Sequence, residues 1–109
     1  MIHHGFHKRG VPLQRLVQLN SANPARRFGI YPNKGSLNLG TDADIVLVDL
    51  DLEQEVIHKG KGTCIYSGMK LRGWPVLTIS RGEIVFENNQ VDESLYGRGK
   101  CLIFPGMDK

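Results

Sequence analysis

Apolar residues recur at helical spacing in the first part of the chain, after Gly10 and Pro12. The positions that share this spacing are Leu13, Leu16, Val17 and Asn20, with Leu19 widening the stripe. Steps of three and four residues place side chains on one face of an α-helix. The pattern therefore predicts an amphipathic helix that begins just after Pro12.

A second, shorter helix is predicted over residues 24–28, after an interruption at residues 21–23. Asn23 can cap this helix with its side-chain oxygen, and Pro24 suits the first helical position because no N–H is needed there. Gly29 can take up the left-handed conformation that ends a helix. The order of residue types thus predicts where this helix begins and ends.

From residue 36 onward the pattern changes to that of β-strands. Short strands are predicted near residues 36–39, 44–50 and 54–58, followed by a loop containing Gly60, Gly62, Gly68 and Gly73. The apolar run Ile45–Val48 is unbroken, which predicts a strand covered on both faces.

A hairpin and an irregular tail follow in the sequence. The predicted hairpin has strands over 76–80 and 83–87, a turn at Arg81–Gly82, and a second turn at Asn88–Asn89 before Gln90–Val91. Residues 92–109 show few periodic features and are predicted to be an irregular tail. So few strands leave sheet edges open, and the apolar stripe of the first helix exceeds what they can cover.

Several short motifs occur together along the chain. They are Asn-Pro-Ala-Arg at 23–26, Gly-x-Tyr-Pro at 29–32, Lys-Gly-Ser at 34–36, Gly-Thr-Asp-Ala-Asp at 40–44, the stretches 66–73 and 76–86, and Gly-Arg-Gly-Lys at 97–100. In this combination the chain resembles the C-terminal region of cyclic amidohydrolases over most of residues 13–104. It is most similar to hydantoinases and dihydropyrimidinases, with allantoinase and dihydroorotase more distant. Departures are mild: Asn33 stands where Arg is common, and Cys101–Ile103 replaces a usual Phe-Leu-Pro.

The resemblance implies a fold that is mainly β with α-helices at the N-terminus, forming part of a β-sandwich. Residues 1–35 would be a helical segment that packs on a metal-dependent barrel absent from this chain. Residues 36–91 would be the sandwich portion, and residues 92–109 the C-terminal tail. Open sheet edges and an uncovered helix agree with such a segment.

The resemblance also implies a reaction, namely hydrolysis of a cyclic amide bond by a hydroxide held on a pair of divalent metals, usually zinc. Ligands and substrate contacts in that family come from the barrel. No catalytic, cofactor-binding or metal-binding residue is therefore assigned to this chain, whose partners would be the rest of the barrel or further copies. The alternative is a stand-alone β-rich interaction or oligomerisation module derived from that segment.

Composition limits the other possibilities. The chain has 109 residues, at most one domain, and no apolar run approaches the length of a membrane span. Cys64 and Cys101 fit no metal spacing and are predicted to be buried free thiols in a reduced compartment, hence a cytoplasmic location.

Charge is distributed unevenly along the chain. Residues 1–41 contain six Lys or Arg and no acid, whereas residues 42–55 contain six acids and no base. A transit peptide or a nucleic-acid patch could explain the basic part, but no aromatic platform accompanies it. The favoured explanations of the uneven charge are that the basic and acidic parts neutralise each other, or that a neighbour of the basic part is absent from this chain.

Three histidines, His3, His4 and His7, form the first candidate site. His3 and His7 are four residues apart, a spacing that zinc sites use on a helix. Gly5 disfavours a stable helix there, no acid lies nearby, and the His-x-His pair of the barrel enzymes is absent. A structural or incidental role is predicted, with adventitious metal binding as the alternative.

Two aspartates, Asp42 and Asp44, form the second candidate site. Paired carboxylates can perform acid–base chemistry or hold a hard cation. Asp also commonly accepts N–H bonds in turns and precedes strands, so a structural role is predicted. Asp49 and Asp51 are expected at a strand end facing water.

The remaining candidates are weaker. Arg26 and Arg27, beside Asn23, could bind an anion, but pairing of one arginine with an acid of the following turn is favoured. Residues 97–100 lack the spacing of a phosphate loop. The other positions considered are His58, predicted at the surface; Ser67, Ser80 and Ser94, which lack a nucleophile context; and Trp74–Pro75, a packing anchor or an interface residue.

Overall fold

The computed structural model describes residues 1–102. Its helical part comprises a π-helical segment Ile2–Lys8, helix α1 (Leu13–Val17), a π-helical turn Gln18–Ala22, and helix α2 (Asn23–Arg27). Its strands are β1 (Ile45–Glu55), β2 (Lys70–Ser80), β3 (Glu83–Glu87) and β4 (Gln90–Val91), followed by a 3₁₀ turn Glu93–Leu95. The predicted class, mainly β with helices at the N-terminus, is confirmed. No helix within residues 1–102 has the length and apolar character needed to cross a membrane.

Helices α1 and α2 are continuous, so the predicted interruption at residues 21–23 is wrong. The intervening π-helical turn has a local cause: the side-chain amide of Asn20 donates to the carbonyl of Leu16 at 2.8 Å. That carbonyl is the one an α-helix would pair with the N–H of Asn20. The widened turn also accommodates Pro24, which lacks an N–H and whose ring crowds the carbonyl four residues earlier.

Asn23 is not the helix cap that the sequence predicts. It has helical backbone angles, and no side-chain cap is present at the start of α2. Gly29 follows α2 with φ of 72°, so the predicted left-handed residue is confirmed.

The strand predicted at residues 36–39 is absent. Ser36 instead donates its hydroxyl to the carbonyl of Pro32 at 2.7 Å, and Thr41 donates to the carbonyl of Asn38 at 2.7 Å. Such local side-chain bonds compete with strand pairing. The strands predicted at 44–50 and 54–58 are one strand, β1, with an irregularity between Asp49 and Glu53.

Within residues 1–102 the four strands form one antiparallel sheet in the order β1-β2-β3-β4. The predicted hairpin at Arg81–Gly82 and the turn at Asn88–Asn89 are confirmed. Strand β2 begins earlier than predicted, at Lys70, because its first residues pair with the far end of β1. Residues 103–109 of the predicted tail lie outside the described part of the chain.

The described residues bury little apolar surface. Only Leu16 and Ala25 among the hydrophobic residues of 1–102 are buried. The accessible surface is 8595 Å², whereas a compact monomer of 12.2 kDa exposes about 6,100 Å². Val46 and Leu47, predicted to be covered on both faces of their strand, are each 52% exposed, because β1 lies at the sheet edge and no second layer covers it within residues 1–102.

Candidate functional site

The two aspartates of the second candidate site converge on one lysine. Lys34 Nζ lies 2.8 Å from Oδ2 of Asp42 and 2.5 Å from Oδ2 of Asp44. We call Lys34, Asp42 and Asp44 the Lys34 cluster. It joins the loop after α2 to the turn that precedes β1.

Backbone groups extend the Lys34 cluster to the β2–β3 hairpin. Oδ1 of Asp44 accepts the N–H of Arg81 at 2.9 Å, and the N–H of Gly82 donates to the carbonyl of Ala43 at 3.0 Å. Asn33 donates its side-chain amide to Oδ2 of Asp42 at 3.3 Å. Asp44 therefore receives a turn N–H, as its sequence position predicts, while its lysine partner was not anticipated.

The glycine at position 35 allows the loop that carries Lys34 to lie close to the helical part of the chain. Gly35 has φ of +81°, and a Cβ there would lie 2.6 Å from Cβ of Ala25 and 2.9 Å from the carbonyl oxygen of Ser21. Only glycine allows the loop to approach the helix so closely in this conformation. The Lys-Gly-Ser motif thus combines a close backbone approach with a cation directed at two carboxylates.

Electrostatics favour the charged forms of Lys34 and Asp44. Hydrogen bonds to Asp42 and Asp44 raise the pKa of Lys34. Partial burial alone would raise the pKa of Asp44, but the bonds from Lys34 and from the N–H of Arg81 outweigh it and hold that pKa below its ordinary value. An aspartate that stays ionised and bonded to a lysine is suited to holding segments together rather than to transferring protons.

The predicted pairing of Arg26 or Arg27 with an acid of this turn is wrong. Arg26 lies over the ring of Tyr31, 4.2 Å from its centroid, and donates to Oδ1 of Asn23 at 3.4 Å. Lys34 takes the place expected for the arginine. The sequence gives only a weak sign of the Lys34 pairing, namely that Lys34 is the last basic residue before the acidic residues of 42–55.

The three histidines do not converge on one point. The N–H of Arg72 donates to Nδ1 of His3 at 2.9 Å, and Nε2 of His7 lies 2.6 Å from the carbonyl oxygen of Leu50. His4 contacts the ring of His3 edge-on. The helical segment Ile2–Lys8 therefore uses His3 and His7 to contact strands β1 and β2.

A dinuclear metal centre does not fit the side chains of residues 1–102. No group of three or more His, Cys, Asp or Glu in that range could hold a metal ion together. His3 and His7 use their facing nitrogens for backbone groups, and both paired aspartates already bind Lys34. No catalytic step is derived through a metal on this chain.

A further contact site, missed from the sequence, lies where the tail meets the hairpin. Arg98 Nη1 donates to Oγ of Ser80 at 2.8 Å, and Nη2 lies 3.5 Å from Oε1 of Glu83. Arg81 in turn donates to the carbonyl of Arg98. The Gly-Arg-Gly-Lys motif thus anchors the tail to the sheet, and Ser80 accepts a hydrogen bond there.

The remaining candidates occupy varied positions. Cys64 and Cys101 are free thiols, but Cys64 is half-buried and Cys101 exposed, so the predicted burial is wrong. Trp74 is half-buried, and its indole N–H donates to the carbonyl of Leu71 at 2.7 Å. Exposed positions are His58, Ser67 and Ser94, of which Ser94 bonds to Asp92 at the 3₁₀ turn. Asp51 pairs with Arg72 at 2.6 Å. Asp49 and Asp51 are exposed as expected, but they lie within β1 and not at a strand end, so that part of the prediction is wrong.

Comparison with known proteins identifies the family. The profile described as the amidohydrolase family matches residues 1–85, and the chain belongs to that family. An L-hydantoinase of Paenarthrobacter aurescens is 40% identical over 98 residues, which cover 84% of this chain and 21% of the relative. An allantoinase of Rubrobacter xylanophilus is 42% identical over 102 residues, which cover 90% and 22%. A dihydropyrimidinase of Rattus norvegicus is 36% identical, with coverage of 90% and 20%.

Solved structures agree with the sequence matches. L-hydantoinase from Arthrobacter aurescens superimposes with a TM-score of 0.76 at 40% identity, over 84% of this chain and 21% of that one. A D-hydantoinase gives a TM-score of 0.75 at 30% identity, over 83% and 21%. The resemblance to cyclic amidohydrolases is confirmed, and the chain spans about a fifth of the length of these relatives.

Proposed function

We propose that this chain is the C-terminal structural segment of a metal-dependent hydrolase that acts on cyclic amide bonds, of the hydantoinase and dihydropyrimidinase type. In this role it completes the fold that carries the active site and is not catalytic on its own. The observation that carries the proposal is the exposed apolar surface of β1 at an open sheet edge.

The first part of strand β1, Ile45–Val48, has the composition of a buried strand. Val46 and Leu47 are each 52% exposed and Val48 is 38% exposed, although they follow one another in an apolar run. Contiguous exposed apolar surface marks an interaction site, and an unpaired edge can accept a further strand. The rest of a larger protein would supply a second β-layer that covers the apolar side chains. It would also supply a neighbouring strand that pairs with the open edge.

The same proposal assigns a structural role to each of three parts of the chain. Residues 1–35 would pack on the barrel through an apolar groove, and residues 36–91 would form part of a β-sandwich. Residues 92–109 would be a C-terminal tail available for subunit contacts. The groove is lined by Phe6, Pro12, Leu13, Gln14, Val17 and Gln18.

The chemistry would belong to the barrel. A zinc pair held there would supply an activated hydroxide for ring opening, while the Lys34 cluster and the sheet of this chain maintain the structure around it. The free thiols Cys64 and Cys101 suit a reducing, cytoplasmic location.

A chimera tests this structural role. The L-hydantoinase of P. aurescens, with its matching segment replaced by this chain, should fold and retain hydantoin ring opening. The same enzyme with the segment deleted is the control, and it should lose activity because apolar surface of its catalytic domain becomes exposed. A folded chimera that does not open the ring would contradict a purely structural role.

A complementary assay uses the chain of residues 1–109 by itself with added zinc. It should leave hydantoin and dihydrouracil intact, because Asp42 and Asp44 are bound to Lys34 and His3 and His7 contact backbone groups. Ring opening above a zinc-only control would overturn the assignment of the chemistry to the barrel.

The exposed β1 edge also favours a second candidate, a stand-alone interaction or oligomerisation module. In that case two copies would pair through β1, and the chain would form a defined oligomer in solution. Light scattering coupled to size-exclusion chromatography distinguishes the two candidates. A stable homo-oligomer of residues 1–109, together with a chimera that fails to assemble, would favour the module.

A further inference from the structure

The helical segment Ile2–Lys8 lies against an irregular part of the sheet. Strand β1 pairs Asp49 with Trp74 and Glu53 with Arg72, so residues 50–52 lie opposite the single residue Gly73. A bulge of this kind disrupts the regular ladder. Two histidines of the helical segment contact backbone groups at this position.

The chemistry of each contact determines the protonation of each histidine. The N–H of Arg72 can only donate, so Nδ1 of His3 must carry a lone pair to accept it at 2.9 Å. The carbonyl of Leu50 can only accept, so Nε2 of His7 must carry a hydrogen to donate at 2.6 Å. Protonation therefore removes the first bond, because two N–H groups would face each other, but it preserves the second.

Packing makes the two contacts part of one interface. Ile2 lies close to Gly73, where an added Cβ would collide with Cγ2 of Ile2. On the opposite side, Gly5 packs on the side chain of Leu16, with a Cβ position 3.1 Å from Cδ2. The segment is thus held between helix α1 and the sheet, with the histidine bonds at the sheet side.

The charges around His3 come from two elements. His4, His7 and Lys8 lie on its own segment, and Glu53 faces it from β1. The side chain of Arg72 on β2 is paired with Asp51 at 2.6 Å.

These surroundings affect the titration of His3. Loss of contact with water and the nearby His4, Lys8 and His7 lower the pKa of His3, against the opposing influence of Glu53. The neutral imidazole, which is the form able to accept from Arg72, is therefore favoured at neutral pH.

We propose that His3 and His7 form a histidine latch, which holds segment Ile2–Lys8 on the β1–β2 bulge at neutral pH, and that protonation of His3 releases the His3 end while His7 stays bonded to Leu50. Release of the His3 end separates Ile2 from Gly73. The inference is independent of the reaction proposed above.

The experiment is an NMR titration of ¹⁵N-labelled residues 1–109 from pH 7.5 to pH 5, with the hydrogen-exchange protection factor of the Arg72 amide as readout. The wild-type protection factor should fall about three- to tenfold as His3 titrates, the range expected for loss of one hydrogen bond. H3N provides an uncharged acceptor near the position of Nδ1 and should keep its protection throughout. H4N, at an exposed position, should titrate like the wild type.

Two results would overturn the latch. One is a wild-type Arg72 amide whose protection does not change while the His3 ring titrates. The other comes from the ring nitrogen shifts at pH 7.5: a hydrogen on Nδ1 of His3 instead of a lone pair is incompatible with the proposed bond. Both measurements use the wild-type chain, so they decide the matter even if H3N fails to fold.

Discussion

The ammonium group of Lys34 lies 2.5 Å from Oδ2 of Asp44, across ten positions of sequence. Because Asp44 also accepts the N–H of Arg81, this one carboxylate connects the loop after α2 to the β2–β3 hairpin. The contact joins the Lys-Gly-Ser motif at 34–36 to the Gly-Thr-Asp-Ala-Asp motif at 40–44. It also leads to the first two predictions.

Replacing Asp44 by alanine should lower the free energy of unfolding by about 1–2 kcal/mol, as the backbone bond to Arg81 and a partly screened ion pair are both lost. Urea unfolding followed by circular dichroism measures the change. Glu87→Ala, at an exposed position of β3, is the control and should change stability by less than about 0.5 kcal/mol. Equal losses in the two variants would contradict a specific role for the Lys34 cluster.

The same carboxylate should make stability depend on acid pH. Its pKa in the folded state is lowered, so its contribution is present above the ordinary aspartate value of about 3.9 and is lost as pH falls through the lowered folded-state value. The stability advantage of the wild type over Asp44→Asn should therefore shrink steadily below about pH 4. Urea unfolding of both proteins at several pH values checks this, and a constant difference would refute it.

Gly35→Ala should destabilise the fold more than Gly40→Ala. Both glycines have positive φ, of 81° and 84°, so both substitutions incur a backbone cost of about 1 kcal/mol. Only at position 35 would the added Cβ also collide with Ala25 and the carbonyl of Ser21, which adds about 1–3 kcal/mol. Thermal unfolding of the matched pair measures the difference, and similar melting temperatures would show that the close approach is unimportant.

Arg98→Ala should detach the tail from the hairpin without unfolding the sheet. The substitution removes the bonds to Ser80 and Glu83, which are partly exposed and contribute about 1 kcal/mol together. Amide exchange near residues 93–99 should accelerate while that of β2 stays unchanged. Lys100→Ala, at an exposed neighbouring position, is the control, and acceleration of equal size there would contradict the anchor.

Val46→Lys separates folding from assembly. Val46 is 52% exposed in this chain, so its replacement should change the stability of residues 1–109 by less than about 0.5 kcal/mol. In the chimeric L-hydantoinase the same lysine would be buried beneath another β-layer without a partner, and assembly should fail. Soluble yield and ring-opening activity of the chimera measure this, and a fully active Val46→Lys chimera would contradict the proposed second layer.

Local chemistry accounts for the parts of the fold that sequence predicted well. Arg81–Gly82 and Asn88–Asn89 take up positive φ values that few residues tolerate, so the turns of the hairpin were predictable. Gly29 ended a helix for the same reason. Residues 36–39 were mispredicted because Ser36 and Thr41 satisfy neighbouring carbonyls with their own hydroxyls, and alternation alone does not reveal such competition.

The candidate site was predictable in part. Asp42 and Asp44 were identified, and a structural contact through a turn N–H was expected for them. Lys34 was missed because ten residues separate it from Asp44, and only the folded loop brings the two together. The backbone partners of His3 and His7 were beyond prediction for a related reason, since they appear only where three residues of β1 lie opposite one of β2.

The sequence by itself determined the family, the hairpin, the helix end at Gly29 and the apolar character of β1, because each depends on short motifs or on the conformational limits of single residues. Tertiary structure alone decided that Lys34 bridges two aspartates, that two histidines contact the β1 bulge, and that the apolar run of β1 is exposed. These features arise from contacts between distant segments, whose free energy depends on the relative placement of whole elements.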